Sequence, residues 1–185
     1  MSISGKYVIL RAIEKDDLSL LQLWNNDSDI QHNLGGWHFP SSASIMEKWF
    51  DSLSSDELNQ RYAIDISSHG LIGTTNLVNI NWKDRNASCG IMIGDTTVRE
   101  KGYGTDAVMT LMRYAFEELG FERLDTTIIA HNEASLNLYV GKCGWVEEGR
   151  KKNWYWRRNR YWDKVILGIT KDLYFDLVSS NSYWS

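Results

Sequence analysis

At 185 residues and a formal net charge of −4, the chain is long enough to bury a substantial core but too acidic for general affinity to nucleic acid. It has no apolar run near the ~20 residues of a membrane span, and Met1–Ser4 lacks the basic and apolar regions of a signal peptide. Its two cysteines, Cys89 and Cys143, form neither a metal-ligand pair nor a disulfide framework. These features predict a cytoplasmic protein of one domain over residues 1–185, with no metal site and no membrane contact.

The first sixty residues predict one strand and two helices. Tyr7–Ala12 has strand character, and an aspartate at position 16 or 17 can cap the helix that follows, which Asn25–Asp29 ends. A loop over Gln31–Pro40 then leads to a second helix. Its expected start lies near Ser41–Ser44, and Ser44–Glu47 has the form of a capping box.

The middle of the chain predicts strands. Apolar and polar residues alternate over Arg61–Ile66 and Leu71–Ile80, and Ser67–Gly70 between them supplies the turn of a hairpin. Asn81–Asn86 is polar enough for a second turn, and Ala87–Ile93 follows as another strand.

The stretch Arg99–Leu119 is the most informative in the chain. Gly102 and Gly104 allow a sharp turn without a Cβ in the way, and the apolar positions behind them have the spacing of one helical face. These positions are Val108, Leu111, Met112, Ala115, Phe116 and Leu119. The glycines therefore open a helix whose unpaired first-turn N–H groups and positive dipole end can hold a diphosphate.

Two other phosphate-binding loops do not fit this stretch. A P-loop needs Lys followed by Ser or Thr after its second glycine, and no such pair follows Gly104. A Rossmann turn needs a third glycine, where this chain has Ala107. The pattern that remains is Arg-x-x-Gly-x-Gly between a strand and a helix.

The second half alternates strand and helix. Its predicted elements are a strand over Leu124–Ala130, a short helix capped by Asn132, strands over Trp145–Trp156 and Tyr161–Thr170 around a tight turn at Asn159, and a tail over residues 171–185 without an assigned structure. The whole order, β-α-α-β-β-β-α-β-α-β-β, predicts at least one parallel pairing in an otherwise antiparallel sheet.

The segment Arg150–Trp162 holds six basic residues, five aromatic residues and no acidic one. Basic residues between aromatic ones are typical of a groove for single-stranded nucleic acid. The acidic total favours instead a hairpin whose aromatic side packs while its basic side is solvated. A third interpretation is that these charges attract an acidic acceptor or the phosphates of a cofactor.

The loop at Arg99 resembles the acetyl-CoA loop of the GNAT N-acetyltransferases. Further motifs are similar to the branch of that family that acetylates ribosomal proteins and polyamines: Leu10–Leu18, Leu71–Gly73, Asn132–Tyr139 followed by Gly144–Trp145, and Arg160–Asp163. The resemblance covers residues 6–170 and leaves 171–185 as a tail. It implies the GNAT fold, an α/β structure with a mixed, mostly antiparallel sheet flanked by helices. It also implies an acetyl-CoA-dependent N-acetyltransferase that acts on a primary amine by direct attack in a ternary complex.

The resemblance also implies roles for individual residues. Acetyl-CoA would be bound by Met92, Ile93, Arg99, Glu100, Lys101, Gly102, Tyr103, Gly104, Thr105, Asn132 and Ser135. Within that set, main-chain N–H groups of the loop would hold the diphosphate, and the strand at Met92 and Ile93 would pair with the pantetheine amides. Tyr139 would lie beside the thioester sulfur as general acid.

The acceptor amine is left open by the sequence. The family builds its acceptor pocket where this chain has His32, Trp37 and His38, which are the candidate substrate-binding residues. The loop Gln31–Pro40 has no acidic residue to hold a polyamine. A small-molecule amine, an amino sugar and a protein N-terminus all remain as acceptors, and a homodimer is a further expectation.

The proton acceptor is not identified either. Many relatives have a glutamate on the strand before the loop, where this chain has Ser88–Gly90. His131 and a water molecule are the candidates. The rival hypotheses are an acyl-enzyme on Cys89, a CoA sensor without turnover, and an RNA-binding module that uses residues 150–162.

Overall fold

The computed structural model describes residues 2–36 and 39–185, which form a mixed sheet of eight strands in the order β1-β2-β3-β4-β5-β6-β8-β7. The strands are β1 (Ile3–Ser4), β2 (Ile9–Arg11), β3 (Gln60–Ile66), β4 (Gly70–Asn81), β5 (Asn86–Ile93), β6 (Arg123–Ile129), β7 (Val146–Arg157) and β8 (Arg160–Thr170). Neighbouring strands are antiparallel except β5 and β6, which run parallel. The predicted fold class and its parallel pairing are confirmed.

Helices cover both faces of the sheet. They are α1 (Leu18–Asn25), α2 (Ser28–Asn33), α3 (Ala43–Leu53), α4 (Tyr103–Arg113), α5 (Glu133–Leu136) and α6 (Lys171–Asn181). The chain continues from α4 into a π turn over Tyr114–Glu118, and from α5 into a second π turn over Asn137–Lys142. In the described ranges no helix combines the length and the apolar character that crossing a bilayer requires.

Each face of the sheet has its own apolar core. On one face, α4 and its π turn bury Leu111 and Phe116, and Tyr174 of α6 is fully buried beside them. On the other face, α1 and α3 bury Leu21, Trp24 and Met46 against the sheet. The strands β5 and β6 lie in the middle of the sheet between these layers, so both cores position the place where they meet.

Three local predictions were wrong. Part of the loop expected over Gln31–Pro40 is helix α2, because the side chain of Asp27 accepts hydrogen bonds from the N–H groups of Asp29 and Ile30 and so caps a helical turn. The cap of α3 is Ser42, whose side chain accepts from Ile45 N–H, and not Ser44. Residues 171–185 contain α6, an integral part of the core, rather than a tail.

Asp106 joins the two ends of the chain. It is fully buried in the first turn of α4, and its carboxylate accepts hydrogen bonds from the N–H groups of Lys6 (3.1 Å), Tyr7 (2.7 Å) and Val8 (2.9 Å). The hydroxyl of Tyr183 donates a fourth, at 3.0 Å. The terminal aromatic residues, which could have served a contact between subunits, are therefore used inside the chain.

We expect Asp106→Ala to lower the free energy of unfolding by about 3 kcal/mol or more, because one buried and three partly buried donors lose this acceptor. Asp176→Ala, at an exposed position of α6, is the matched control and should change it by less than ~0.5 kcal/mol. Urea unfolding followed by circular dichroism measures both. Equal stabilities of the two variants would show that the carboxylate of Asp106 does not hold the chain ends.

Candidate functional site

The centre of the sheet is split. β5 and β6 pair over only three residues each, from Asn86 opposite Arg123 to Ser88 opposite Asp125, and then separate. The opening between them leads into a channel of about 1100 Å³ whose wall includes the rest of β5 and β6 and residues of α2, α4 and α5. A gap between two parallel strands exposes main-chain groups that a ligand can pair with.

The direction of the main chain in β5 decides which groups face this gap. The carbonyl of Cys89 accepts a hydrogen bond from the Thr126 hydroxyl on β6 at 2.7 Å, while the carbonyl of Gly90 accepts from Thr75 on β4 at 2.8 Å. Because successive residues of a strand point their N–H and C=O groups to opposite sides, Ile91 and Ile93 direct theirs into the gap.

Met92, which we expected to pair with a ligand, directs its main chain elsewhere. Its carbonyl faces β4, where it lies against Gly73. Of the two predicted strand residues, only Ile93 presents its main chain to the gap, and Ile91, which the sequence analysis did not name, takes the place of Met92. Only the register of the strand reveals this, since both residues are apolar.

The glycine loop, residues 99–105, closes one end of the channel. Arg99 turns back so that its guanidinium donates to the carbonyl of Ile93 at 2.9 Å. Gly102 has φ +88°, a left-handed conformation that a side chain would strain, and it caps α4. The helical ladder begins with Asp106 N–H to the carbonyl of Gly102 at 3.0 Å, so the N–H groups of residues 103–105 precede it and are available to an anion.

Tyr139 lies at the other end of the gap. It is in the π turn that follows α5, only 3% of its surface is exposed, and its ring packs edge-on against Trp145 with centroids 5.0 Å apart. Its hydroxyl contacts the Cys89 thiol of β5 and the Thr126 hydroxyl of β6. Burial and the neighbouring thiols raise the pKa of Tyr139 well above its ordinary value. The phenol therefore keeps its proton and can donate a hydrogen bond into the gap.

Cys89 does not have the properties of a nucleophile. Burial raises the pKa of its thiol to about 12, despite the hydrogen bond with Tyr139, which lowers it. At neutral pH the group is a neutral thiol, and thiolate is the reactive form. Cys143 is equally buried, with its pKa also raised by burial to about 12.

Asn132 and Ser135 both belong to the channel wall. Both polar atoms of the Asn132 side chain already have partners within the protein. Its oxygen accepts a hydrogen bond from Ser135 N–H at 3.1 Å, and its amide nitrogen donates one to the carbonyl of Asn33 at 3.1 Å. Asn132 therefore caps α5 and ties it to α2. Within residues 2–36 and 39–185 the hydroxyl of Ser135 makes no hydrogen bond, so of the two side chains predicted to contact a ligand here it is the one available.

The predicted histidines come together at the mouth of the channel. His32 and His131 stack with ring centroids 4.3 Å apart, and His131 also meets Trp162 edge-on at 4.6 Å. Burial, the neighbouring His32 and the cation of Arg157 lower the pKa of His131, so its imidazole is neutral at neutral pH. Trp37 and His38, the other two candidates, lie outside the described residues.

The basic and aromatic residues of Arg150–Trp162 partner one another or nearby groups. Arg150 pairs with Glu147 at 2.6 Å and Lys152 with Asp163 at 2.8 Å. Arg157 donates to the carbonyls of Leu34 and Gly36 (3.2 and 3.1 Å), Arg158 pairs with Asp29, Lys151 lies over Trp154, and Arg160 lies over Trp162. The hairpin holds the segment after α2 over the channel, and these bonds favour the packed interpretation over a nucleic-acid groove.

A second, smaller cavity of about 230 Å³ adjoins the channel on the face of the sheet that α1 and α3 cover. The two cavities share Leu34, Asn76 and the segment Gly90–Met92. A molecule in the small cavity can therefore contact β5 at Gly90–Met92, the stretch that also lines the channel.

A protein-family model described as the acetyltransferase (GNAT) domain matches residues 8–146 of this chain. The chain belongs to the GNAT acetyltransferase family. As a member of this family it is an acetyl-CoA-dependent N-acetyltransferase, as the motifs around Arg99 and Tyr139 predicted. The resemblance inferred from the sequence is thereby confirmed.

Individual relatives agree with this assignment. The chain is 25% identical over 170 residues to an uncharacterized N-acetyltransferase of Bacillus subtilis, YokL, derived from the SPbeta prophage; the match covers 91% of this chain and 93% of YokL. It is 25% identical over 169 residues to spermidine N(1)-acetyltransferase of Vibrio cholerae, covering 90% and 95%. The chain is also similar to a crystal structure of spermidine N-acetyltransferase from Vibrio cholerae in complex with CoA and spermine. The superposition has a TM-score of 0.85 at 24% sequence identity and covers 92% of this chain and 99% of the chain in that crystal structure.

β5 (Asn86–Ile93) carries no carboxylate, and Ser88–Gly90 occupy the stretch where the resemblance led us to expect one. The structure places a carboxylate across the sheet instead: Asp125 of β6 lies opposite Ser88 at the bottom of the gap. One of its oxygens accepts two hydrogen bonds from Arg123, at 2.9 and 2.6 Å. This placement could not be predicted from the sequence, because it depends on the parallel register of β5 and β6.

Proposed function

We propose that acetyl-CoA binds along the gap between β5 and β6 and that an amine attacks its thioester directly. Three elements support this arrangement. The N–H groups of residues 101–105, with Arg99 and Glu100 shaping the loop, receive the diphosphate. The main chain of Ile91 and Ile93 pairs with the pantetheine amides, and Ser135 completes that wall. The observation that carries the proposal is the continuity of this path, from a glycine-opened helix to a buried, protonated tyrosine.

In the reaction, the C–N bond of the product forms and the C–S bond of the thioester breaks. Charge develops first on the carbonyl oxygen, and an N–H group of β5 in the gap can stabilise it. Charge then develops on the leaving sulfur, where Tyr139 donates a hydrogen bond.

Tyr139 does not have to give up its proton permanently. Because its pKa lies above the ~8.5 of an ordinary thiol, complete transfer to the thiolate is unfavourable unless the phenol is reprotonated. The attacking nitrogen loses one proton and the sulfur gains one, so the two transfers balance. Neutral His131, which lines the channel, has the protonation state required to accept the proton from the amine.

The acceptor is a small-molecule primary amine in this proposal. The cavity beside the channel is small and is lined by α1, α3 and the sheet. It suits a free amine better than a protein N-terminus, because the polypeptide attached to an N-terminus also needs room. Self-association of the chain stays a prediction, which light scattering of the purified protein tests.

The direct route is tested by thiol release from acetyl-CoA in the presence of a panel of primary amines, with the product identified by mass spectrometry. We expect release only when an amine is present, and intersecting double-reciprocal lines. Cys89→Ala should retain activity, because a buried neutral thiol takes no part in the chemistry. Parallel lines together with acetyl transferred to Cys89 would replace direct attack by an acyl-enzyme. Binding of CoA without release for any amine would favour the sensor hypothesis instead.

A further inference from the structure

The small cavity beside the channel contains a polar row that the proposed chemistry does not use. Arg61 of β3, Asn76 of β4 and Gly90 of β5 are direct neighbours across three strands. Side chains at paired positions of adjacent strands share one face of the sheet, and all three residues line the cavity. Gly90 leaves the row open on the β5 side, since a Cβ there would approach only the amide of Asn76, at 3.7 Å.

These polar groups have little to bind within the protein. Over residues 2–36 and 39–185, the side chains of Asn76 and Thr74 make no hydrogen bond. Arg61 has one ion pair, with Asp56 at 3.9 Å, and its side chain is 31% exposed. A contact of that length and exposure is weak, and it leaves most of the five guanidinium donors free. The half-buried amide of Asn76, hydroxyl of Thr74 and guanidinium of Arg61 are therefore accessible to a polar ligand in the cavity.

The charge of the cavity wall excludes one class of acceptor. Among the described residues that line it, Arg61 is the only one with a charged side chain. A polycation such as spermidine would meet a guanidinium on this wall, while the nearby carboxylate of Asp56, 3.9 Å from Arg61, is not among the described residues that line the cavity. Arginine presents a planar fork that matches a carboxylate in a bidentate geometry.

We propose that Arg61 binds a carboxylate on the acceptor, so that the substrate is a small aminocarboxylate rather than a polyamine. This inference rests on the proposed function and specifies its acceptor. The amine reaches β5 across Gly90 while the carboxylate stays at β3. Two strand spacings separate these strands, so the two groups of the acceptor are at most roughly 10 Å apart. Free ω-amino acids and short peptides both meet this limit.

Paired acceptors test the proposal. One set contains ω-amino acids of increasing length and the other contains dipeptides and tripeptides; each acid is assayed beside its neutral amide, and spermidine is the polycationic comparison. We expect the wild-type enzyme to prefer acid over amide by roughly tenfold to hundredfold in kcat/KM, and the set with the higher rates identifies the source. Arg61→Gln should abolish that preference while acetyl-CoA affinity, measured by calorimetry, stays unchanged.

Arg85→Gln is the matched control. It removes the same charge from an exposed arginine in the turn between β4 and β5, 63% exposed and outside both cavities, and it should keep the preference for the acid. Amides or spermidine used as well as the acids, or an Arg61→Gln enzyme that retains the preference, would overturn the carboxylate site but leave acetyl transfer intact. If no member of either set is acetylated, the carboxylate site is overturned; the proposed function fails as well only if the wider panel of primary amines also gives no thiol release.

Discussion

Tyr139→Phe should lower kcat by ~100-fold or more while leaving KM for acetyl-CoA within a few-fold of its original value. The substitution removes a hydroxyl that burial keeps protonated. This hydroxyl lies at the end of the gap opposite the glycine loop. Its effect belongs to the step in which sulfur gains negative charge, so it should appear in the chemical step and not in binding. Single-turnover kinetics with saturating acetyl-CoA separate that step from product release.

The phenylalanine ring can keep the edge-on packing against Trp145, so the fold should survive. Tyr62→Phe is the control, because it deletes the hydroxyl of a half-buried tyrosine that contacts Tyr114 and does not line the channel. It should leave kcat unchanged. An unaltered kcat in Tyr139→Phe would remove Tyr139 from the chemistry.

The same hydroxyl gives the reaction a pH dependence. Tyr139 acts in its protonated form, and burial raises its pKa, so activity should persist as the pH rises and fall only above the ordinary tyrosine value of about 10. In Tyr139→Phe that alkaline decrease should be absent. A decrease centred below this value in the wild-type enzyme, with the fold intact by circular dichroism, would contradict the proposed environment of the phenol.

Much of the fold was accessible from the sequence because local signals and tertiary structure agree. The alternation in β3 and β4 and the glycines before α4 are local patterns, and each produced the element expected of it. The failures occurred where the deciding contact was a single side chain. Nothing in the periodicity of Gln31–Pro40 showed that Asp27 would cap a helix running into it.

The site was predicted less completely than the fold, for a physical reason. A glycine loop and a tyrosine can be recognised from their motifs, but the side to which a strand points its N–H groups depends on its partners. Ile91 replaced Met92 for this reason. The register likewise places Arg61 in line with Asn76 and Gly90, and Asp125 opposite Ser88, and neither neighbourhood can be read from the sequence.

Charge patterning was ambiguous for the same reason. Six basic residues in one segment are compatible with a nucleic-acid surface until their partners are known. The partners come from distant parts of the chain, as with Arg158 and Asp29 or Arg157 and the carbonyl of Leu34. Once paired, the hairpin positions the segment after α2 at the mouth of the channel, which connects its aromatic and basic content to acceptor access.

Substitution of Gly104 should separate cofactor binding from folding. In the protein alone, a Cβ at this position meets only Leu138 at 3.7 Å and Ile93 at 3.9 Å, which are ordinary contact distances. Alanine also favours the first turn of a helix over glycine by about 0.5–1 kcal/mol. Gly104→Ala should therefore fold as stably as the wild type or slightly better.

Acetyl-CoA affinity should nevertheless fall, because the added carbon occupies the surface where the diphosphate approaches the N–H groups of residues 103–105. We expect roughly a tenfold loss for Gly104→Ala and a hundredfold loss or more for Gly104→Val, the latter equivalent to about 2.7 kcal/mol of binding free energy. Isothermal titration calorimetry measures the affinity, and urea unfolding measures the stability of the same samples.

Gly149→Ala is the control, since nothing lies within 4 Å of a Cβ at that position of β7 and the residue is remote from the glycine loop. It should change neither quantity. Gly102 would be a poorer test, because at φ +88° any side chain strains the loop itself and mixes folding with binding. If Gly104→Val bound acetyl-CoA with wild-type affinity, the diphosphate would have to be held elsewhere, and the path along β5 to Tyr139 would lose its starting point.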